Sequence, residues 1–296
     1  MYSKEQLLYG IKNPTSIAWE LSWAYHRFVR GQSGVSVIDR DWDSLIILDA
    51  CRYDIFESTA ELDGTLQSVV SKGSNTEEFL RRNFSAEAYP ETVYVSANPQ
   101  VQNHGIDHKF ADRVRLWETH WDEDLRTVPP KDVVDAALAA HERHPKKRLI
   151  VHFVQPHYPF IGPTGRKIEH GTLHGDGVIA DKRDGDSVWR QLERGDLDRD
   201  RVYQAYVENL ELTLPHVETL LDRLNGRAVV TSDHGNALGR WGLYGHPYKR
   251  YTTEVVKVPW LVVDGEQRRT IEAGEIQDHQ EMESTVEERL HDLGYR

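Results

Sequence analysis

The feature that most constrains the fold is a series of short apolar runs that do not alternate with polar residues. These runs are Ser44–Leu48, Val93–Ala97, Leu149–Val154, Ala228–Thr231 and Trp260–Val263. Because a strand with one face in water alternates apolar and polar residues, the runs indicate strands buried on both faces, as in a parallel sheet. Helical periodicity lies between and after them, most clearly in Val202–Leu224 and again in Ser284–Leu293. The pattern predicts a three-layer α/β/α sandwich with a mostly parallel central sheet.

A single large domain is predicted over residues 36–296, with an amphipathic helix before it in residues 1–35. Of the 296 residues, 39% are hydrophobic, enough for a sizeable core. We expect the N-terminal helix to pack on this core. The alternative is a peripheral membrane contact through residues 14–29, because Trp19 and Trp23 suit the depth of a bilayer interface.

The segment 161–200 interrupts the alternation of strands and helices. It is rich in Gly, Asp and Arg and shows no periodicity. Long segments of this kind in compact domains are often active-site lids or binding loops. We therefore predict a lid or a substrate loop here.

The net charge of the chain argues against some classes of binding partner. Lys and Arg number 36 against 48 Asp and Glu, which gives a formal net charge of −12. So negative a surface argues against a nucleic-acid partner and suits a salt-rich, halophilic cytoplasm. The lone Cys51 leaves no internal disulfide and no Cys-based zinc cluster. The sequence has neither a transmembrane run nor a signal-peptide core, so a cytoplasmic location is expected.

Carboxylates and imidazoles follow three of the apolar runs. Asp49 follows the first run, His157 the third, and the adjacent pair Asp233 and His234 the fourth. Each residue alone has an ordinary explanation, such as a helix N-cap for an aspartate. Together they indicate one site, because ligands of open α/β sheets bind at the carboxyl ends of the strands. Oxygen and imidazole ligands without thiolate suit Mn²⁺, Zn²⁺ or a harder cation.

The same residues carry a resemblance to a known family. The stretch VVTSDHGNALGRWGLYGHPYKR resembles the SDHG segment of the alkaline phosphatase superfamily, in its sulfatase and lipoteichoic-acid-synthase-like (phosphoglycerol transferase-like) branch. QPHYPF resembles the H-x-P-F segment of that branch, and SLIILDACRYD its opening strand with a metal-binding Asp. The resemblance spans roughly residues 44–296 and implies a sulfatase-like catalytic domain.

The family requires a nucleophile on a loop at a helix N-terminus. The segment SKGSNTEEFL, residues 71–80, resembles the lipoteichoic-acid-synthase stretch in which a Thr lies four residues before a Glu-Phe pair. Counting back from Glu78 and Phe79 places Ser74 at that position. Ser74 and Glu77 also form the spacing of a capping box. Thr76 remains the alternative nucleophile.

The resemblance implies a complete site around one divalent metal ion, with Mn²⁺ expected and Zn²⁺, Mg²⁺ or Ca²⁺ as alternatives. The implied metal ligands are Asp49, Ser74, Asp233 and His234. Ser74, His157 and His246 would be catalytic, and Arg52, His157, His246 and Lys249 would bind the substrate oxygens. For Arg52, a salt bridge with Asp54 is an equally good interpretation.

The implied function is a metal-dependent hydrolase or transferase that acts on a phosphoester through a Ser nucleophile and a phospho-enzyme. Its partner would be a small-molecule, glycan or lipid phosphoester. A sulfatase is one alternative, although the chain lacks the family's motif of Cys or Ser followed by x-Pro-x-Arg. A non-catalytic member that binds a phosphorylated glycan is the other.

Overall fold

A seven-stranded sheet forms the centre of the computed structural model, which describes residues 34–168, 187–276 and 286–293. Its strands are β1 (Ser44–Asp49), β2 (Thr65–Val70), β3 (Tyr89–Ser96), β4 (Phe110–Arg115), β5 (Arg148–Pro156), β6 (Ala228–Ser232) and β9 (Lys257–Val263). A separate two-stranded hairpin pairs β7 (Ala237–Leu238) with β8 (Tyr244–Gly245). The strand order in the large sheet is β2-β9-β6-β1-β5-β3-β4. β9 runs antiparallel to both neighbours, whereas β1, β3, β4, β5 and β6 pair in parallel.

β1 lies at the middle of the sheet, and its burial explains its unbroken apolar run. Leu45 and Ile47 pack in one hydrophobic cluster, and Ile46 and Leu48 pack in another. All four side chains are fully buried. Both faces of the strand therefore need apolar residues, because each face is covered by a helical layer.

The helices cover the two faces of the sheet. They are α1 (Tyr53–Thr59), α2 (Thr76–Asn83), α3 (Gln100–Asn103), α4 (Leu116–Thr119), α5 (Pro130–Arg143), α6 (Val188–Arg194), α7 (Arg199–Arg223), α8 (Thr253–Val256) and α9 (Val286–Asp292). Apolar side chains of α1, α5 and α7 share the cluster of Ile46, and those of α2 and α3 share the cluster of Leu45. The predicted three-layer sandwich with a mostly parallel sheet is confirmed.

Two sequence predictions fall partly or wholly outside the described residues. The helix predicted within residues 1–35 lies outside them, apart from the last two residues. The segment 161–200 is not uniformly irregular, because it contains α6 and the first two residues of α7. A lid or substrate loop stays a prediction, since residues 169–186 are not described. Among the described residues, no helix combines the length and apolarity that crossing a bilayer requires.

Candidate metal centre

The carboxyl ends of two neighbouring strands bring Asp49, Asp233 and His234 together. β1 and β6 pair in register up to Leu48 and Ser232, so the residues that follow meet at one edge of the sheet. One ligand atom from each of the three side chains lies within 4.8 Å of the other two. All three residues are fully buried.

Backbone and side-chain hydrogen bonds fix the orientation of these ligand atoms. Asp233 Oδ1 accepts from the backbone N–H groups of Ala50 at 2.9 Å and His234 at 2.8 Å. His234 Nδ1 lies 2.9 Å from the carbonyl oxygen of Gly235. Because a carbonyl oxygen only accepts, Nδ1 carries the proton of the neutral ring, and Nε2 presents a lone pair. Nε2 lies 3.2 Å from Asp233 Oδ2 and 3.6 Å from Asp49 Oδ1.

The hydroxyl that reaches this cluster belongs to Thr76, the first residue of α2. Thr76 Oγ1 lies 2.8 Å from Asp233 Oδ2 and 3.2 Å from His234 Nε2. The Ser74 hydroxyl instead donates at 3.0 Å to Glu78 Oε2 and lies 3.2 Å from the carbonyl oxygen of Pro247. The Ser74 hydroxyl, predicted as nucleophile and metal ligand, therefore bonds away from the cluster, whereas the hydroxyl of the alternative, Thr76, lies against it.

The structure contains a different helix cap in place of the capping box predicted for Ser74 and Glu77. The N-cap of α2 is Asn75, whose side-chain oxygen accepts from the backbone N–H of Glu78 at 2.9 Å. The helix therefore starts one residue later than the capping box requires. This shift turns Thr76, rather than Ser74, towards the carboxyl ends of β1 and β6.

The donor set fits a divalent metal ion. Two carboxylates, one imidazole lone pair and one hydroxyl oxygen converge in a fully buried site. Two buried carboxylates this close repel each other, and a bound dication removes that repulsion. Mixed carboxylate and imidazole ligation is typical of Zn²⁺ and Mn²⁺.

Asn98 is a site residue that the sequence reasoning missed. It follows β3 and is fully buried. Its side-chain amide donates to Asp49 Oδ2 at 2.5 Å, and its carbonyl oxygen accepts from the backbone N–H of Gln100 at 2.9 Å. The signal was present, because Asn98 comes directly after the apolar run Val93–Ala97, as Asp49 follows the first run.

His157 and His246 form an imidazole pair beside the cluster. Their Nε2 atoms lie 3.0 Å apart, and the ring of His246 lies 4.4 Å from that of His234. Burial lowers the pKa of His157 to about 4. Burial and the neighbouring imidazoles of His234 and His157 also lower the pKa of His246 well below its ordinary value. Both rings are therefore neutral near pH 7.

Solved structures of phosphoethanolamine transferase domains have a similar fold. The chain superposes on the soluble domain of lipooligosaccharide phosphoethanolamine transferase A from Neisseria meningitidis with a TM-score of 0.53 and 14% identity. The match covers 75% of this chain and 76% of that domain. The C-terminal periplasmic domain of EcEptC from Escherichia coli, in complex with zinc, matches with a TM-score of 0.51 and 14% identity over 79% of this chain and 75% of that one.

The chain has the fold of these phosphoethanolamine transferase domains. The fold that the SDHG resemblance implies is thus confirmed. At 14% identity, the likeness shows the fold and leaves the reaction to be argued from the site. In this chain, the cluster of Asp49, Asp233 and His234 offers the ligand atoms for a divalent metal ion.

Two further comparisons match only part of longer proteins. A 2,3-bisphosphoglycerate-independent phosphoglycerate mutase of Synechococcus elongatus is 36% identical over 63 residues, which are 21% of this chain and 12% of the mutase. The chain covers 47% of the integral membrane phosphoethanolamine transferase A from Neisseria meningitidis. The chain therefore spans half or less of these two proteins. No protein-family model matches the chain.

The expectation of a cytoplasmic location is wrong. A similar solved structure is a periplasmic domain, and another is part of an integral membrane protein. These findings point away from the cytoplasm.

Arg52 and Lys249, the two cationic residues predicted to bind the substrate, have different surroundings in the structure. Arg52 forms an ion pair with Asp54, with Nε 2.9 Å from Oδ1, and donates to the carbonyl oxygen of Asn236 at 3.3 Å. The salt-bridge interpretation of Arg52 is thus the one the structure contains. Lys249 lies three residues after His246, and its ammonium group lies 4.6 Å above the ring of Tyr248. Substrate binding by either cation stays a prediction.

Proposed function

We propose that the protein is a metal-dependent hydrolase or transferase of phosphoesters in which Thr76, rather than Ser74, is the nucleophile. One observation carries the proposal: the Thr76 hydroxyl lies within hydrogen-bonding distance of both Asp233 and His234. Thr76 is also the first residue of α2, and a helix N-terminus favours a bound phosphoryl group. The names of the similar transferases support phosphoester chemistry over sulfate-ester hydrolysis.

Asp49, Asp233, His234 and Thr76 would hold the metal ion. A bound dication supplies Lewis acidity, which lowers the pKa of a coordinated hydroxyl and offsets negative charge on a phosphoryl group. The zinc complex of a similar domain supports Zn²⁺ beside the Mn²⁺ expected from the sequence. Asn98 would hold Asp49 in its ligating orientation through the bond to Oδ2.

The reaction would take place in two displacements at phosphorus. Thr76 Oγ1 attacks the phosphorus atom, and the bond from phosphorus to the leaving oxygen breaks. Asp233 Oδ2, which accepts the hydrogen bond of the hydroxyl, is placed to receive its proton. Water or an acceptor alcohol then attacks the phosphothreonine and gives its proton to the imidazole pair, which gave one to the leaving oxygen in the first step. The bond from phosphorus to Thr76 Oγ1 breaks, and Asp233 Oδ2 returns the proton to Oγ1.

The imidazole pair would bind the phosphoryl oxygens and protonate the leaving oxygen. His157 Nδ1 bonds to the carbonyl oxygen of Tyr158, so its Nε2 accepts from the Nε2–H of His246. The neutral pair therefore shares a single proton between the two Nε2 atoms. An anionic phosphoryl group beside these rings favours their protonated form, which can donate to the leaving oxygen.

The substrate proposed is a phosphoester carried by a lipid, a glycan or a small molecule. The similar transferase named for lipooligosaccharide supports a lipid or glycan carrier. Transfer to an acceptor alcohol and hydrolysis by water share the same first displacement. The substrate class is therefore proposed from the chemistry of the site together with this likeness.

Turnover of nitrophenyl esters tests the proposal. Phosphate monoester, phosphate diester and sulfate ester are assayed with and without Zn²⁺ or Mn²⁺ for the wild type and for Thr76→Ala. We expect metal-dependent phosphoester turnover that falls by a factor on the order of 10³ or more in Thr76→Ala. Mass spectrometry of the wild type trapped with substrate should place the phosphoryl group on Thr76.

Two variants control this experiment. Thr219→Ala removes an exposed hydroxyl on α7, which donates to the helix carbonyl of Pro215, and it should leave turnover unchanged. Ser74→Ala should retain the phosphothreonine. A phosphoserine at Ser74, or turnover that survives in Thr76→Ala, would contradict the assignment. Metal binding without turnover of any ester would favour a binding protein instead.

A further inference from the structure

Glu78, in the first turn of α2, is a buried carboxylate outside the proposed metal and phosphoryl contacts. Only 6% of its surface is exposed. Oε2 accepts from both the backbone N–H and the hydroxyl of Ser74, each at 3.0 Å. Oε1 accepts from the hydroxyl of Tyr251 and from Arg82 at 3.1 Å. Four donors thus converge on one carboxylate, which satisfies it without solvent.

One pair of these bonds holds the loop that leads to Thr76. Ser74 lies between β2 and α2, and its backbone and hydroxyl are both fixed by Glu78 Oε2. The preceding Ser71 hydroxyl donates to the carbonyl oxygen of Asp233 and accepts from the backbone N–H of Gly73 at 3.1 Å. This loop is therefore anchored to the metal-ligand segment at one end and to Glu78 at the other.

A third bond to Glu78, that of Tyr251, reaches the loop that carries His246 and Lys249. Tyr251 donates to Glu78 Oε1, and burial and the bond to Glu78 raise the pKa of its hydroxyl, which therefore stays protonated. The Ser74 hydroxyl also lies 3.2 Å from the carbonyl oxygen of Pro247. Residues 247 and 251 are thus both tied to the start of α2.

We propose that Glu78 is a positioning residue that sets the distance between the nucleophile and residues 246–251, here called the phosphoryl-binding loop because they include His246 and Lys249. Through Ser74 it fixes the loop before Thr76, and through Tyr251 it fixes the loop after His246. This inference rests on the proposed function, because it assigns a role relative to Thr76 and His246. A carboxylate suits the task, since both of its oxygens accept, whereas an amide accepts at only one atom.

Tyr251→Phe tests only one of the two links, the bond between Glu78 and the phosphoryl-binding loop. It removes one hydroxyl and leaves the metal ligands and Thr76 in place. We expect the KM for the nitrophenyl phosphoester and the Kd for inorganic phosphate to rise about tenfold, with kcat changed less than about threefold. The affinity of the metal-free protein for Zn²⁺, measured by calorimetry, should match the wild type. Glu78→Gln should lower kcat as well, because it also releases Ser74.

The matched control is Tyr53→Phe. Tyr53 donates to Glu57 at 2.6 Å on the surface of α1, so this variant removes a tyrosine–glutamate bond of the same kind away from the two loops. It should leave KM and the phosphate Kd unchanged. If Glu78→Gln fails to fold, as judged by circular dichroism, Tyr251→Phe and Ser74→Ala still test the two links separately.

The outcomes separate this inference from the proposed function. A wild-type KM and phosphate Kd in Tyr251→Phe, with only the melting temperature lowered, would show that Glu78 merely stabilises the fold and would overturn the inference. Turnover that persists in Thr76→Ala would overturn the proposed function. In that case the phosphate Kd still reports whether Tyr251 positions the loop, because it does not depend on turnover.

Discussion

Two hydroxyls only two residues apart, those of Ser74 and Thr76, have different surroundings although both are buried. The hydroxyl of Ser74 bonds to Glu78 and to the loop at Pro247, whereas that of Thr76 bonds to Asp233 and His234. Spacing along the chain could not separate them, because the start of α2 decides which hydroxyl turns towards the strands. That start depends on which residue caps the helix.

The contact between Asn98 and Asp49 leads to a prediction about metal affinity. Asn98→Ala removes the donor to Asp49 Oδ2, so the carboxylate loses the bond that orients it. We expect the affinity for Zn²⁺ to fall by about 10- to 100-fold, as is usual when a partner of a metal ligand is removed. Isothermal calorimetry on metal-free protein measures this change.

Asn103→Ala is the control for this prediction. Asn103 lies at the end of the same short helix α3, is exposed, and bonds to Gln100 at 3.1 Å. Its removal should leave the Zn²⁺ affinity as it is in the wild type. Equal affinities for Asn98→Ala and Asn103→Ala would show that Asp49 holds its orientation without Asn98.

The buried His152 leads to a prediction about stability and pH. Its ring is fully buried on β5, with Nδ1 2.9 Å from the hydroxyl of Tyr94, and burial lowers its pKa to about 4. In the unfolded chain this pKa returns to about 6.5. Between these values the unfolded chain binds more protons at this ring. The free energy of unfolding should therefore fall as the pH decreases from about 6.5 to about 4, by on the order of 3 kcal/mol from this residue.

Denaturant unfolding of the metal-free protein at a series of pH values checks this prediction, with His152→Asn as the comparison. The variant cannot take up the proton, so its free energy of unfolding should depend less steeply on pH over the same interval. The other buried imidazoles remain in both proteins and cancel in the comparison. Parallel pH dependences would show that His152 does not contribute.

At the scale of elements, the sequence predicted the central strands and missed the two edge strands. β1, β5 and β6 are buried on both faces, so their apolar runs are visible. β2 is largely exposed, and β4 includes Asp112 and Arg113. In the fold, Asp112 bonds to His144 at 2.7 Å, and Arg113 lies 3.7 Å from Asp107. These ion pairs let charged residues lie in a largely buried strand, so apolar periodicity alone could not identify it.

At the scale of the whole molecule, the formal charge of −12 leads to a prediction about salt. Like charges on a compact surface repel one another, and the repulsion opposes folding. At about 1 M KCl the screening length is about 3 Å, so this repulsion is largely removed. We expect the melting temperature to rise from low salt to about 1 M KCl, as the halophilic interpretation of the composition requires.

Uncharged sucrose is the control for this salt effect, because it stabilises proteins by exclusion from the surface without screening charge. Differential scanning calorimetry at matched osmolality compares the two solutes. A melting temperature that stays flat or falls with KCl would show that surface ion pairs, such as Arg227 with Asp41 and Asp264, contribute more than the net repulsion.

The sequence by itself determined the layer architecture and the metal-ligand trio of the candidate site. A strand buried on both faces appears in the sequence as an unbroken apolar run. Because the strand ends near the point where that run stops, the sequence places Asp49, Asp233 and His234 at the carboxyl ends of two strands. Only the tertiary structure placed the hydroxyl of Thr76, and not that of Ser74, against this trio, brought Asn98 to Asp49, and joined Glu78 to Tyr251. These choices depend on where a helix begins and on contacts between residues far apart in the chain, which are fixed only when the layers pack.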